Sequence, residues 1–110
     1  MTFVYMAGPY SSQDPAIRHQ RFIAHCRAAA YLIERGIPVF SPICQSHPIA
    51  EVMERERDHH FWMEVDLPLL AASDRLIVLK LPGWQVSRGV REEMDYARNN
   101  SIPVEYMEPL

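Results

Sequence analysis

Apolar residues along the chain occur in four short runs, separated by longer stretches in which apolar residues recur at helical spacing. The four runs lie at residues 3–7, 37–40, 75–80 and 102–106. Each run has the length and composition of a buried strand. After the first run, Asp14 and Pro15 predict the start of a helix, and Gly36 predicts its end. Pro38 within the second run favours an edge position for that strand.

The segment between the second and third strands is less regular. We interpret residues 43–47 as a loop, and Pro48 as the start of a second helical region. The very polar residues 54–60 indicate either a solvated helix face or a loop. Apolar spacing resumes at Trp62, and Pro68 should break or restart the helix there. A last helix is expected from Ser87 to about residue 100.

Strands and helices therefore alternate along the whole chain. This order predicts one α/β domain over residues 1–110, a flavodoxin/Rossmann-like, doubly wound parallel sheet of four to five strands with helices on both faces. Such sheets bind ligands at the carboxyl ends of their strands, where the strand order reverses. Three polar loops, at residues 8–12, 41–47 and 82–89, should meet at that edge.

Composition and charge exclude several classes of partner. The net charge of −3 argues against an extended surface for a nucleic-acid polymer. No apolar run is long enough to cross a membrane, and the N-terminal residues lack the pattern of a secretion signal, so we expect a cytoplasmic protein. Cys26 and Cys44 have neither metal-ligand nor redox spacing, and we expect reduced, buried thiols.

Glu93 is the strongest candidate for chemistry. It follows Val90 by three residues and precedes Ala97 by four, which places its carboxyl on the apolar face of the last helix. A carboxylate there is costly without partners, so Glu93 is either structurally paired or functional. A hydroxyl from the first strand, such as that of Tyr5, would keep it ionised and able to attack an electrophilic carbon. Glu92 should face solvent and pair with an arginine.

Other candidates carry weaker signals. Asp66 lies in an apolar stretch, as either a site residue or a local helix cap near Pro68. Gly8 lets the backbone approach a ligand and Ser11 offers a hydroxyl, yet an ordinary strand-to-helix turn fits equally well, because the loop has neither a dinucleotide nor a Walker pattern. His47 follows a strand end and either contacts a ligand or makes a structural hydrogen bond.

No metal and no cofactor are expected. The three histidines closest to the candidate loops do not have the spacing of metal ligands, and no carboxylate completes a set with them. They are His47, His59 and His60.

Taken together, several segments resemble the nucleoside 2-deoxyribosyltransferase superfamily, which includes the deoxynucleoside 5′-monophosphate N-glycosidases, and within it a small bacterial branch. The resemblance spans almost the whole chain. Its segments are Tyr5-Met6-Ala7-Gly8-Pro9, Ser41-Pro42, Asp66 eight residues before Asp74, and Ser87-x-Gly89-Val90-x-x-Glu93-x-x-x-Ala97.

The resemblance implies cleavage or exchange of the N-glycosidic bond of a nucleoside or nucleoside 5′-monophosphate. Glu93 would attack the anomeric carbon and form a covalent glycosyl ester, which water or another base then resolves. Tyr5 would orient Glu93. Asp66 would contact the sugar or assist protonation of the leaving base. The resemblance also implies a homo-oligomer.

The expected substrate-binding residues come from the three polar loops. They are Gly8, Tyr10, Ser11, Ser41, His47, Ser87, Arg88 and Gly89. Ser87 and the amides of Arg88 and Gly89 would hold a 5′-phosphate at a helix N-terminus, with Arg88 or Arg91 adding charge. Two other functions stay open: a non-catalytic nucleotide-binding or signal-sensing domain, in which Glu93 bonds a ribose hydroxyl, and an interaction module, in which Glu93 pairs with an arginine.

Overall fold

A computed structural model describes residues 2–110 as four strands and four helices. The strands are β1 (Val4–Ala7), β2 (Val39–Phe40), β3 (Arg75–Leu79) and β4 (Val104–Met107). The helices are α1 (Pro15–Glu34), α2 (Pro42–Val52), α3 (His59–Ala72) and α4 (Arg88–Asn99). All strand pairs are parallel and the order is β2-β1-β3-β4. The predicted parallel α/β sheet is confirmed, with β2 at an edge.

The two faces of the sheet are covered by different helices. Val4 and Met6 of β1 pack in one apolar cluster with residues of α1. Tyr5 and Ala7, which alternate with them, pack in a second cluster with residues of α3 and α4. Because the strand order reverses between β1 and β3, the carboxyl ends of these central strands form the switch point of the fold.

Each helix begins at a polar residue whose side chain accepts a hydrogen bond from a backbone amide in the first turn. These residues are Asp14, Ser41, Asp58 and Ser87. Gly36 follows α1 with φ of 78°, a left-handed conformation that glycine adopts without strain. None of the helices within residues 2–110 has the combination of length and apolarity needed to cross a bilayer.

Two predictions based on prolines are wrong. Helix α2 begins at Pro42, so residues 43–47 are helical and Pro48 lies inside the helix. Helix α3 runs through Pro68 without a break. Both Pro48 and Pro68 lie on exposed faces, where water can bond the backbone carbonyl that the missing N–H leaves unpaired.

The cysteines lie where α1 packs against α2. Cys26 and Cys44 are free thiols, but each is only half-buried, whereas we expected buried thiols. The Cys44 thiol donates to Cys26 Sγ across 3.3 Å. Their spacing of 18 residues in the chain gave no sign of this contact.

Candidate active site

The carboxyl group of Glu93 lies in the interior, between α4 and the sheet. Glu93 is 6% exposed and shares the inward face of α4 with Val90 and Ala97. Tyr5, fully buried on β1, donates a hydrogen bond from its hydroxyl to Glu93 Oε2. The structure therefore contains the contact between first strand and last helix that the sequence pattern indicates.

Asp66 reaches the same region from α3. It is 8% exposed and lies within the helix, so it does not cap a helix end near Pro68. His59, Trp62, Met63 and Asp66 line one cavity together with Glu93. Their spacing of three, four and seven residues places them on one stripe of α3. The two carboxyl groups of the site are thus carried by neighbouring helices.

Burial and mutual repulsion control the charge of these groups. Burial raises the pKa of Glu93 to about 8, against the opposing effect of the Tyr5 hydrogen bond. Burial raises the pKa of Asp66 to about 6, and the nearby His59 opposes the rise. Burial, together with the Glu93 carboxylate, raises the pKa of Tyr5, so this hydroxyl keeps its proton and acts as a donor. Near neutral pH the two carboxyls therefore hold about one proton between them.

A cavity of about 820 Å³ opens at this edge of the sheet. Six of the eight expected substrate-binding residues line it, namely Gly8, Tyr10, Ser11, His47, Ser87 and Gly89. The structure does not bring Ser41 and Arg88 to the cavity wall. Ser41 is buried as the N-cap of α2, whereas the Arg88 side chain is 75% exposed and bonds Glu92.

His47 is held on both sides of its ring. Its Nδ1 lies 2.7 Å from the Tyr10 hydroxyl, and its Nε2 lies 3.0 Å from Glu51 Oε1. The ring also stacks on Phe22 with 4.1 Å between centroids. These contacts tie the loop after β1 to α2. His47 therefore lines the cavity and also makes structural hydrogen bonds, so both of the roles considered for it from the sequence are compatible with its position.

His25 of α1 contacts the same loop and was not among the site residues predicted from the sequence. It is fully buried on α1, with Nε2 3.3 Å from the Pro9 carbonyl oxygen. A Cβ on Gly8 would lie only 2.6 Å from His25 Cε1, so the glycine is needed for close packing. Burial lowers the pKa of His25 to about 4, and the ring is therefore neutral at physiological pH.

The site has no arrangement suited to a metal ion. In the part of the chain from residue 2 to 110, no three His, Cys, Asp or Glu side chains converge closely enough to hold one. His59 instead pairs with Glu92 at 2.7 Å, and His60 pairs with Glu64 at 3.1 Å.

Two solved structures share this fold. A 2-deoxyribosyltransferase from the psychrotolerant bacterium Bacillus psychrosaccharolyticus has a TM-score of 0.70 and 16% identity, covering 97% of this chain and 72% of that chain. A conserved protein from Enterococcus faecalis V583 has a TM-score of 0.61 and 26% identity, covering 96% of this chain and 62% of that chain. This chain thus spans less than two thirds of the second protein. The predicted nucleoside 2-deoxyribosyltransferase-like fold is confirmed.

Sequence comparison adds a family assignment. The family model described as domain of unknown function (DUF1937) matches residues 2–109. A search of curated proteins finds no match.

Proposed function

The chain belongs to the DUF1937 family, and we propose that it cleaves or exchanges the N-glycosidic bond of a nucleoside or nucleoside 5′-monophosphate. One observation carries the proposal. A buried Glu93 carboxyl, bonded by Tyr5, lies with Asp66 on the wall of a cavity of about 820 Å³. This volume suits a ligand of nucleotide size. A solved 2-deoxyribosyltransferase with the same fold supports this substrate class.

In the first step, ionised Glu93 attacks C1′ of the sugar and forms a glycosyl ester. The bond between C1′ and the base breaks, its electrons leave with the base, and Asp66 supplies the proton that the departing base needs. Before substrate binds, the higher pKa of Glu93 keeps the single proton of the pair on that residue. Positive charge that develops at C1′ favours the ionised form of Glu93, so this proton is transferred to Asp66. Tyr5 holds the attacking carboxylate in place through its hydrogen bond.

In the second step, water or an acceptor base attacks C1′ and releases Glu93. Asp66, now ionised, takes the proton of the attacking group, which restores the starting protonation of the pair. Two displacements at the same carbon retain its configuration. Hydrolysis and transfer therefore use the same residues and differ only in the group that enters the cavity.

The 5′ end of the substrate would lie at the N-terminus of α4. Ser87 and Gly89 line the cavity there, and the first backbone amides of a helix have no partners within it. Because Arg88 bonds Glu92 instead, the backbone and Ser87 would supply the phosphate contacts. Ser87→Ala should lower the ratio of kcat/KM for 5′-monophosphates to kcat/KM for nucleosides. An unchanged ratio would contradict this placement.

One observation favours a second function, nucleotide binding without turnover. The raised pKa of Glu93, about 8, leaves this carboxyl protonated at neutral pH before substrate binds. A neutral carboxyl can donate a hydrogen bond to a ribose hydroxyl, whereas nucleophilic attack needs the ionised form. This function predicts ligand-induced thermal stabilisation with no release of base.

The test is incubation of the purified protein with ribo- and deoxynucleosides and their 5′-monophosphates, with and without an acceptor base. Glu93→Ala is the matched variant. We expect free base from the natural protein and none from Glu93→Ala. Equal release by both proteins would contradict the assignment of Glu93. No release by either protein, combined with thermal stabilisation by a nucleotide, would favour the binding function.

A further inference from the structure

The two carboxyl groups of the site depend on the packing of separate helices. Asp66 belongs to α3 and Glu93 to α4, so their separation follows from how these helices lie against each other. A double-displacement mechanism needs its two carboxyls about 5–5.5 Å apart. Apolar side chains fill much of the contact between helices and sheet. Because the hydrophobic effect is non-directional, a hydrogen bond between the two helices would add a directional constraint to this packing.

A polar pair joins the two helices beside the cavity. His59, the first residue of α3, has Nε2 2.7 Å from Glu92 Oε2 of α4. Within residues 2–110 this is the single side-chain hydrogen bond between these helices. Arg88 Nε donates to the other oxygen of Glu92 at 3.0 Å, which fixes the orientation of the carboxylate. The hydrogen bond from His59 is the main reason why the pKa of Glu92 lies below its ordinary value.

The position of this pair connects it to both carboxyls. Glu92 directly precedes Glu93, and their side chains point about 100° apart around α4. Glu93 therefore bonds Tyr5 of the sheet, and Glu92 bonds α3. His59 lies seven residues before Asp66 on the cavity stripe of α3. The imidazole also sits close to the first turn of α4, since a Cβ on Gly89 would lie 3.7 Å from His59 Cε1.

We propose that His59 is a positioning residue for the reaction, which acts by holding α3 on α4 through Glu92. This inference rests on the proposed function. The charged group that His59 contacts is Glu92, whose other oxygen accepts from Arg88.

Two variants test the hydrogen bond to Glu92. His59→Ala removes the donor, so kcat should fall by about tenfold or more, with little change in KM, because small misplacements of reacting groups are costly. His59→Gln keeps an N–H donor for Glu92, so it should recover part of the kcat that His59→Ala loses. Glu92→Ala should lower kcat similarly, and the double variant should be no worse than either single variant.

His60 provides a matched control. His60 pairs with Glu64, which lies four residues later on the same helix. Both side chains are at least 70% exposed, and neither lines the cavity. His60→Gln and His60→Ala should leave kcat unchanged. Equal kcat for His59→Ala and His60→Ala would overturn the proposal.

A substrate-free measurement separates failure of this inference from failure of the proposed function. The side-chain carboxyl carbons of Asp66 and Glu93 can be observed by carbon NMR in the natural protein, in His59→Ala and in His60→Ala. We expect their chemical shifts to change in His59→Ala alone. The same shifts in all three proteins would overturn the positioning role, whether or not any of them releases a base.

Discussion

Replacement of Glu93 by glutamine should stabilise the protein, and the gain should grow with pH. The unfolded chain ionises Glu93 at the ordinary glutamate pKa of 4.5, whereas burial in the folded protein raises the pKa to about 8. Between these values folding requires proton uptake by Glu93, so stability falls as pH rises. Above about pH 8 the folded protein carries a buried carboxylate, and the cost is constant. Glutamine has the same shape and no charge, so this cost disappears.

The size of the effect follows from the two pKa values. Each pKa unit corresponds to about 1.4 kcal/mol, so the rise from 4.5 to about 8 corresponds to at most about 5 kcal/mol above pH 8. Relaxation around the ionised group reduces this limit, and a gain of about 2–4 kcal/mol is expected at pH 8.5. Near pH 4.5 the gain should fall to about 0.4 kcal/mol, because Glu93 is protonated in the folded protein and half protonated in the unfolded chain.

Urea unfolding of the natural protein and of Glu93→Gln at pH 4.5, 7 and 8.5 measures this difference directly. Groups away from the site titrate in both proteins and cancel, whereas Asp66, which is coupled to Glu93, contributes to the difference. Glu92→Gln is the control at the adjacent position: its pKa is lowered by His59, so the ionised form is favoured and glutamine should not stabilise at high pH. A Glu93→Gln gain that is absent, or equal at pH 4.5 and 8.5, would refute the electrostatic reasoning for the site.

Three further predictions follow from other parts of the structure. The kcat/KM profile should be bell-shaped with limbs near pH 6 and 8, because both carboxyls of the site are protonated below this range and both are ionised above it. Gly8→Ala should lower the free energy of unfolding by about 1–3 kcal/mol, because the added Cβ would clash with His25. Gly89→Ala should not lower it, because the added Cβ would make an ordinary 3.7 Å contact. Denaturant unfolding of the two variants measures the difference. A mild disulfide oxidant should join Cys26 to Cys44 without unfolding, since their Sγ atoms lie 3.3 Å apart; intact mass and thiol titration would show the loss of two hydrogens, and unchanged thiols would contradict the contact.

The architecture was largely predictable because buried parallel strands appear as continuous apolar runs and their connections must cross over. The helix boundaries set by Asp14, Ser87 and Gly36 were predictable from capping chemistry. The continuation of α2 through Pro48 and of α3 through Pro68 was not predictable, because the cost of a proline inside a helix depends on whether its surroundings are exposed.

For the site, the Tyr5–Glu93 contact was predictable because both residues lie on the inward face of strongly patterned elements. The contacts of the two supporting histidines, His25 and His59, were not predictable. His25 contacts a loop 16 residues away in sequence, and His59 contacts a glutamate 33 residues away. Both contacts arise from tertiary packing between elements, and neither residue stands out by its local pattern.

The central claim is that Glu93 forms a covalent bond with the sugar. The most direct measurement is the mass of the protein after incubation with a 2′-fluorinated substrate, in which the electron-withdrawing fluorine slows breakdown of a glycosyl ester. We predict a mass increase of one fluorinated sugar, located by peptide mapping at Glu93 and absent in Glu93→Gln. Release of base from this substrate with no adduct, or an adduct on another residue, would contradict the claim.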